Sequence, residues 1–338
     1  MRISVVMTTY NGQKFIIDQL NSIKNQSRVP DEVIIIDDLS TDNTCDLIKE
    51  YITKNKLRNW KLSVNKVNIG WKKNFINAMQ LASGDIIFLS DQDDIWMTDK
   101  IECMSEIMEK DSNIELLVGN SKNFYSSEGK RSRKFYSIKN KAFYLDGIWN
   151  GNTLLSRINS LLKTDKKNTN KLKKIHFDES VFSNQRQGCV MSVTKNLINT
   201  VVNYWNEACP HDTLLWFYAC ANDKLFFLER YVINYRHHED NTGFKDILGL
   251  EGLSARSEIN KIKKNQEQIN DLLFMLYDIN IEDLDKKKEI IHKIIKYNSL
   301  RLKFLKEKRL LDGIKVLKGR KYVGNRQVLF DWLLAYLT

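Results

Sequence analysis

The stretch Ile86-Ile87-Phe88-Leu89-Ser90-Asp91-Gln92-Asp93-Asp94 decides how the chain reads. Four apolar residues in a row, without alternation, describe a strand buried on both faces. Three carboxylates crowd in directly behind them. The same sentence is written twice upstream. Val33–Ile36 runs into Asp37-Asp38, and Ile3–Met7 runs into Thr8-Thr9-Tyr10-Asn11.

Helical spacing fills the gaps between these strands. Phe15, Ile16, Leu20 and Ile23 form one apolar stripe, and Leu47, Ile48 and Ile52 a second, with Ser40 or Thr41 placed to cap it. Phe75, Ile76, Met79 and Leu81 follow the turn Asn68-Ile69-Gly70. Trp60–Val64 reads as a third strand, Trp96–Glu109 as a helix and Ile114–Val118 as a strand. Strands alternating with helices predict an α/β fold, a mostly parallel sheet flanked by helices. Ligands of such sheets bind at the carboxyl ends of the strands.

Further along, residues 121–187 lose this rhythm. They are rich in Lys, Arg, Ser and Asn, and read as solvated loops or as a basic flap beside a phosphorylated ligand. Gly188–Val193 reads as a strand, with a helix from Lys195 and another from His211-Asp212. Leu225–Leu228 and Val232–Tyr235 read as short strands. From about Ser254 only helical patterns remain. The expected division is a chemical domain over 1–245 and a basic helical region over 246–338.

Composition narrows the partners. The 338 residues carry 53 Lys+Arg against 42 Asp+Glu, a formal +11. From Lys261 onward 18 basic residues face 10 acidic ones, so most of the excess lies in the helical tail. Such a sign favours an anionic partner: nucleotide, phosphate, nucleic acid or lipid surface. No nucleic-acid motif accompanies it. Five cysteines without a CxxC pair argue against a disulfide framework and for a reducing compartment. Without a signal-like start or a long apolar run, the expected location is the cytosol, with peripheral contact to the inner membrane face.

The acidic strand ends carry the chemistry. Carboxylates gathered at one sheet edge repel one another unless a cation sits between them. Hard oxygen donors suit Mg²⁺ or Mn²⁺, which retain room for substrate phosphates. The blander reading of Asp93 or Asp94 is an N-cap on the following helix.

Read in order, Val5–Asn11, Ile35–Thr44, Asn68–Gly70 and Ser90–Trp96 resemble the inverting family 2 glycosyltransferases of the GT-A, Rossmann-like fold. The Ser-Asp-Gln-Asp-Asp-Ile-Trp form is similar to the rhamnosyltransferase branch of bacterial surface-polysaccharide enzymes. Gly188–Met191, His211-Asp212 and Tyr235–Gly243 resemble that branch's later motifs. The resemblance covers about residues 1–245.

It implies roles. Thr8 and Tyr10 would meet the base and ribose of a nucleoside-diphosphate sugar, dTDP-rhamnose or a UDP-hexose. Asp38 would accept from the base N3–H, with Asp37 the alternative. Asp91 would reach the ribose or a metal-bound water. Asp93 would ligate the metal, joined by His238, with His237 the alternative. Asp212 would be the base that deprotonates the acceptor, a growing lipid-linked glycan. It is also placed to cap its helix. Lys72 or Lys73 would meet the diphosphate, although Trp71-Lys72-Lys73-Asn74 departs from the common family sequence. Arg236 would pair with phosphate or with a carboxylate.

Two other classes compete. Aspartate-based phosphoryl transfer wants Asp-x-Asp on the first strand, which ends here in Thr8-Thr9-Tyr10, and a P-loop is missing. A basic membrane- or nucleic-acid-binding module without catalysis is favoured only by charge, with Trp332, Leu333, Leu334, Tyr336 and Leu337 as an apolar end for a lipid surface.

Overall fold

A computed structural model describes residues 1–125, 170–238, 254–278 and 281–337. Their contacts group into two units.

The first unit holds the described parts of Met1–Phe124, Lys167–His176 and Gln185–Arg236. Its strands are β1 (Ile3–Thr9), β2 (Glu32–Asp37), β3 (Trp60–Val64), β4 (Ile86–Ser90), β5 (Ile95–Trp96), β6 (Leu116–Tyr125), β7 (Leu172–Lys174), β8 (Met191–Thr194) and β9 (Leu225–His237). They form one sheet in the order β3-β2-β1-β4-β8-β6-β9-β5, with β7 on β9. β1 pairs in parallel with β2 and β4, and β2 with β3. Thr9 therefore stands opposite Asp37, and Met7 opposite Ser90. This register brings the polar ends of three strands to one edge.

Beyond β4 the pairings with β8 turn antiparallel, so the sheet is mixed. Helices α1 (Ile16–Lys24), α2 (Thr44–Lys54), α3 (Trp71–Leu81), α4 (Lys100–Lys110), α5 (Lys195–Val201) and α6 (His211–Ala221) accompany it. β1, β2 and β4 are buried throughout, as uninterrupted apolar runs require.

Several expectations need correction. Ile95-Trp96 does not open a helix. It pairs antiparallel with Asn234 and Ile233 of β9, and the helix starts at Lys100. Asn43 precedes α2 in place of Ser40 or Thr41. Gly188–Val190 is a 3-10 turn, and the strand begins only at Met191. The two short strands expected over 225–235 are one long strand, β9. The boundary at 245/246 and most of the basic 121–187 stretch lie outside the described residues.

At the amino edge of the sheet, Glu32 is buried and fully engaged. It accepts from Ser4 Oγ at 2.5 Å, Ser83 N at 2.6 Å and Ser83 Oγ at 2.8 Å, while Gly84 N donates to Ser4 Oγ. Burial alone would raise its pKa, but these hydrogen bonds prevail and hold it below its ordinary value.

The second unit contains Phe177–Asn184 and the chain from His237 on, as far as it is described. Its helices are α7 (Ala255–Asp278), α8 (Leu284–Glu307), α9 (Leu310–Lys318), α10 (Arg320–Val323) and α11 (Asn325–Leu337). Ile262, Tyr297, Phe304, Leu305, Val316 and Val328 share one core. Inside it Arg301 grips Asp331 with two nitrogens, at 2.6 and 2.9 Å, and Glu258 at 3.1 Å. Gln327 donates to both carboxylates. Gly313 admits Trp332, since a Cβ there would meet the indole at 2.6 Å and Phe304 at 2.7 Å. Leu310, Leu311 and Ile314 are exposed on one face of α9. The expected apolar end of the tail divides: Leu334 is core, Leu333 and Tyr336 are exposed, and Trp332 packs on Phe304. No described helix is long and apolar enough to cross a membrane.

Candidate functional site

Four segments of the first unit supply the site: the ends of β1, β2 and β4, and the start of α6. Thr8 is buried and Tyr10 is exposed. The Tyr10 backbone is clasped by one side chain: its N–H donates to Gln92 Oε1 at 2.9 Å and its carbonyl accepts from Gln92 Nε2 at 3.0 Å. Gly12 makes room for that amide, because a Cβ would stand 2.3 Å from Gln92 Oε1.

Asp37 and Asp38 serve different neighbours, as adjacent residues at a strand end do. Asp37 accepts from Thr9 Oγ1 and Ser40 Oγ, both at 2.6 Å, and from Ser40 N at 2.7 Å. Asp38 accepts from Asn65 Nδ2 at 2.8 Å, Ile69 N at 2.9 Å and Gly70 N at 2.8 Å. It thereby shapes the turn before α3, where Gly70 adopts φ +81°. About four acceptor positions on a carboxylate leave one for a ligand.

The acidic loop after β4 is electrostatically crowded. Burial, then the charges of Asp93 and Asp212, push the half-buried Asp91 carboxyl up to about 7. Asp94 is buried. Its Oδ1 accepts from Arg236 N at 3.0 Å, and its Oδ2 has no N–H or O–H partner among the described residues. Burial and its acidic neighbours hold its pKa well above the carboxylate range. No helix begins at Ile95, so Asp93 and Asp94 are not its caps. Arg236 instead ties the loop down: it pairs with Asp18 at 2.8 Å and donates to the Asp93 carbonyl at 2.8 Å. The carboxylate partner expected of Arg236 is Asp18.

Behind the loop lies a buried lysine. Lys100 Nζ donates to the Cys189 carbonyl at 2.7 Å and stands 3.4 Å from the centre of the Trp96 ring. Burial lowers its pKa to about 7. Oxygens of Asp91 and Asp94 and the Cys189 sulfur lie within 4.8 Å of one another. Burial keeps the Cys189 thiol protonated. What remains to bind a metal is a set of hard oxygens, which fits a divalent cation of the Mg²⁺ or Mn²⁺ kind.

Asp212 is the second residue of α6, with Pro210 at the cap position. It acts inside the first turn, where its Oδ1 accepts from Thr213 N at 2.8 Å. Burial raises its carboxyl to about 6, against backbone donors that include Gly188 N–H. His211 is buried and stacked on Phe75 at 4.1 Å. Burial lowers its pKa to about 3, so its ring is neutral. Lys72 Nζ donates to the Glu207 and Ala208 carbonyls, each at 2.9 Å, while Lys73 is exposed. His238 is buried one residue beyond β9 and groups with the second unit, as does His237.

The structure thus gathers Asp91, Asp93 and Asp212 within electrostatic reach of one another. Sequence reasoning missed Gln92, Lys100 and Cys189. The signal for Lys100 was a lysine on an otherwise apolar helix face, four residues after Trp96.

Comparison with known proteins agrees with this geometry. The model of a family described as "Glycosyl transferase family 2" matches residues 4–186. The chain is 32% identical over 247 residues to dTDP-rhamnosyl transferase RfbG of Shigella flexneri, covering 70% of this chain and 72% of that protein. A 96-residue stretch is 34% identical to TarS of Staphylococcus aureus, a poly(ribitol-phosphate) β-N-acetylglucosaminyltransferase; it covers 28% of this chain and only 16% of TarS. The structure of TarS 1–349 in complex with UDP-GlcNAc matches with a TM-score of 0.60, over 99% of this chain and 89% of that one, at 15% identity. Mannosyltransferase PcManGT from Pyrobaculum calidifontis, in complex with GDP-Man and Mn²⁺, matches with a TM-score of 0.56 over 99% and 87%, at 14% identity. These structural likenesses establish the GT-A fold, and the family match extends over more than half the sequence. The chain belongs to glycosyl transferase family 2, and it is a glycosyltransferase.

Proposed function

We propose that the protein is a metal-dependent, inverting glycosyltransferase of bacterial surface-polysaccharide synthesis. Its donor is a nucleoside-diphosphate sugar, dTDP-rhamnose or a UDP-hexose, and its acceptor a growing lipid-linked glycan. The observation that carries this reading is the convergence of Asp212 with the acidic loop, close enough for its charge to raise the Asp91 pKa. A base and a phosphate-side cation site must be neighbours if one reaction is to use both.

In this reading the exposed Tyr10 ring stacks on the base, with Thr8 beside it, and the remaining acceptor position of Asp38 takes the base N–H. Asp91 reaches the ribose. Asp93 would hold the divalent ion. That ion, when bound, neutralises charge on the departing diphosphate. Asp212 accepts the proton of the acceptor hydroxyl as its oxygen bonds to the anomeric carbon. The bond from that carbon to the diphosphate oxygen breaks, and its electron pair leaves with the nucleoside diphosphate. The base must be ionised, so transfer rises with pH through about 6, the value to which burial brings Asp212, and then levels off.

A sugar-release and transfer assay with purified variants tests the scheme. Asp212→Asn and Asp93→Ala should each lower kcat by roughly 10²–10⁴-fold with the melting curve retained. Chelation should abolish transfer, and added Mn²⁺ or Mg²⁺ should restore it. Near-normal turnover in either variant removes that residue from its role. On location, the exposed Leu310, Leu311 and Ile314 sit within a segment, 303–321, that carries eight Lys/Arg against two acidic residues. We place this face against the anionic inner leaflet, where a lipid-linked acceptor is presented.

A further inference from the structure

Among the described Phe, Tyr and Trp residues of the first unit, two are exposed: Tyr10 and Trp71. The scheme above uses Tyr10. Trp71 has no role in it, although three observations draw it into the site. Its ring stands edge-on to His211, with centroids 5.9 Å apart at 79°, and His211 immediately precedes the base Asp212. His211 is wedged between Phe75 and Gly188, where a Cβ would approach its Nε2 to 2.8 Å, so the seat under Trp71 is rigid. Lys72 then fastens the start of α3 to the carbonyls of Glu207 and Ala208, just ahead of α6. Lys72 Nζ also stands 5.9 Å from the centre of the Trp71 ring.

A flat indole, 41% exposed, is therefore held against the residue that precedes the group assigned to deprotonate the acceptor. The axial C–H face of a pyranose ring is apolar and flat. It gains contact area from an aromatic face at little entropic cost, because the ring is already rigid. The base engages the acceptor hydroxyl, so the sugar that reaches both groups is the acceptor's. We propose that Trp71 is the stacking platform for the terminal pyranose of the glycan acceptor. This rests on the functional reading above, in which Asp212 is the base.

Saturation-transfer NMR on the full chain tests it, with methyl α-D-glucopyranoside, methyl N-acetyl-β-D-glucosaminide and methyl α-L-rhamnopyranoside as probes. At least one should receive saturation through its ring C–H protons. The signal should fall roughly tenfold in Trp71→Ala and by less in Trp71→Phe, and added UDP or dTDP should leave it in place. Thermal melts of both variants confirm that the fold persists. Three results overturn the proposal: no probe responds, the response is equal in wild type and Trp71→Ala, or the nucleotide displaces the probe, which would put Trp71 at the donor. The two readings fail separately. Pyranoside binding at Trp71 without any sugar transfer breaks the functional assignment alone, whereas normal transfer with no Trp71-dependent binding breaks the platform alone.

Discussion

The two units treat buried charge in opposite ways. In the helical unit, Arg301, Asp331 and Glu258 form a group in which each carboxylate meets the guanidinium and Gln327 fills further acceptor positions. In the sheet unit, Asp91, Asp93 and Asp94 gather with Asp212 nearby, and one buried oxygen of Asp94 has no N–H or O–H partner among the described residues. The first arrangement holds helices together. The second stores repulsion that the proposed cation would relieve. Paired charge marks architecture here, and crowded like charge marks chemistry.

Substitutions of opposite sign test that contrast. The largest effect belongs to Arg301→Met, which strands two buried carboxylates and should cost about 3–5 kcal/mol in urea unfolding. A loss under 1 kcal/mol would mean that the cluster is not structural. Asp91→Asn should do the reverse and stabilise the metal-free protein at pH 7 by about 1–2 kcal/mol, since it removes a charge that burial and Asp93 oppose. The sign with pH follows from the raised pKa. Between the ordinary aspartate value and about 7 the folded form binds the extra proton, so wild-type stability from this group falls as pH rises through that window. The gain from Asp91→Asn should therefore shrink as pH is lowered toward 4. Destabilisation at pH 7 would break the comparison. The smallest effect concerns the surface of the helical unit. The Leu311→Gln/Ile314→Gln pair, on exposed positions, should weaken co-sedimentation with phosphatidylglycerol vesicles several-fold while leaving the melting temperature within a degree or two. Unchanged sedimentation would remove α9 as a lipid-facing element.

The parallel half of the sheet was legible because its strands β1, β2 and β4 are nearly self-sufficient: buried throughout, each must be written as an apolar run. The antiparallel half was not. Ile95-Trp96 looks like the first turn of a helix until the distant strand β9 supplies Asn234 and Ile233 as partners. Gly188-Cys189-Val190 has strand composition but closes into a single turn before β8 begins. At the site, the acidic residues announced themselves by crowding. Their supports did not. Arg236 reaches Asp18 across 218 positions and Lys100 reaches Cys189 across 89, and spacing carries no trace of either. Asp94 was read as a local cap because capping is a local signal, whereas its partner is the backbone of a distant strand.

The sealed carboxylate at the other end of the same sheet has one more consequence. Glu32 titrates below its ordinary value, so its contribution is intact at mild acidity and is lost only as pH falls below about 4.5. Asp212 takes up its proton near 6. Under the proposed scheme acid acts in two stages set by opposite rims of one sheet: transfer falls as Asp212 takes up its proton near 6, and the support that Glu32 lends the fold falls away below about 4.5.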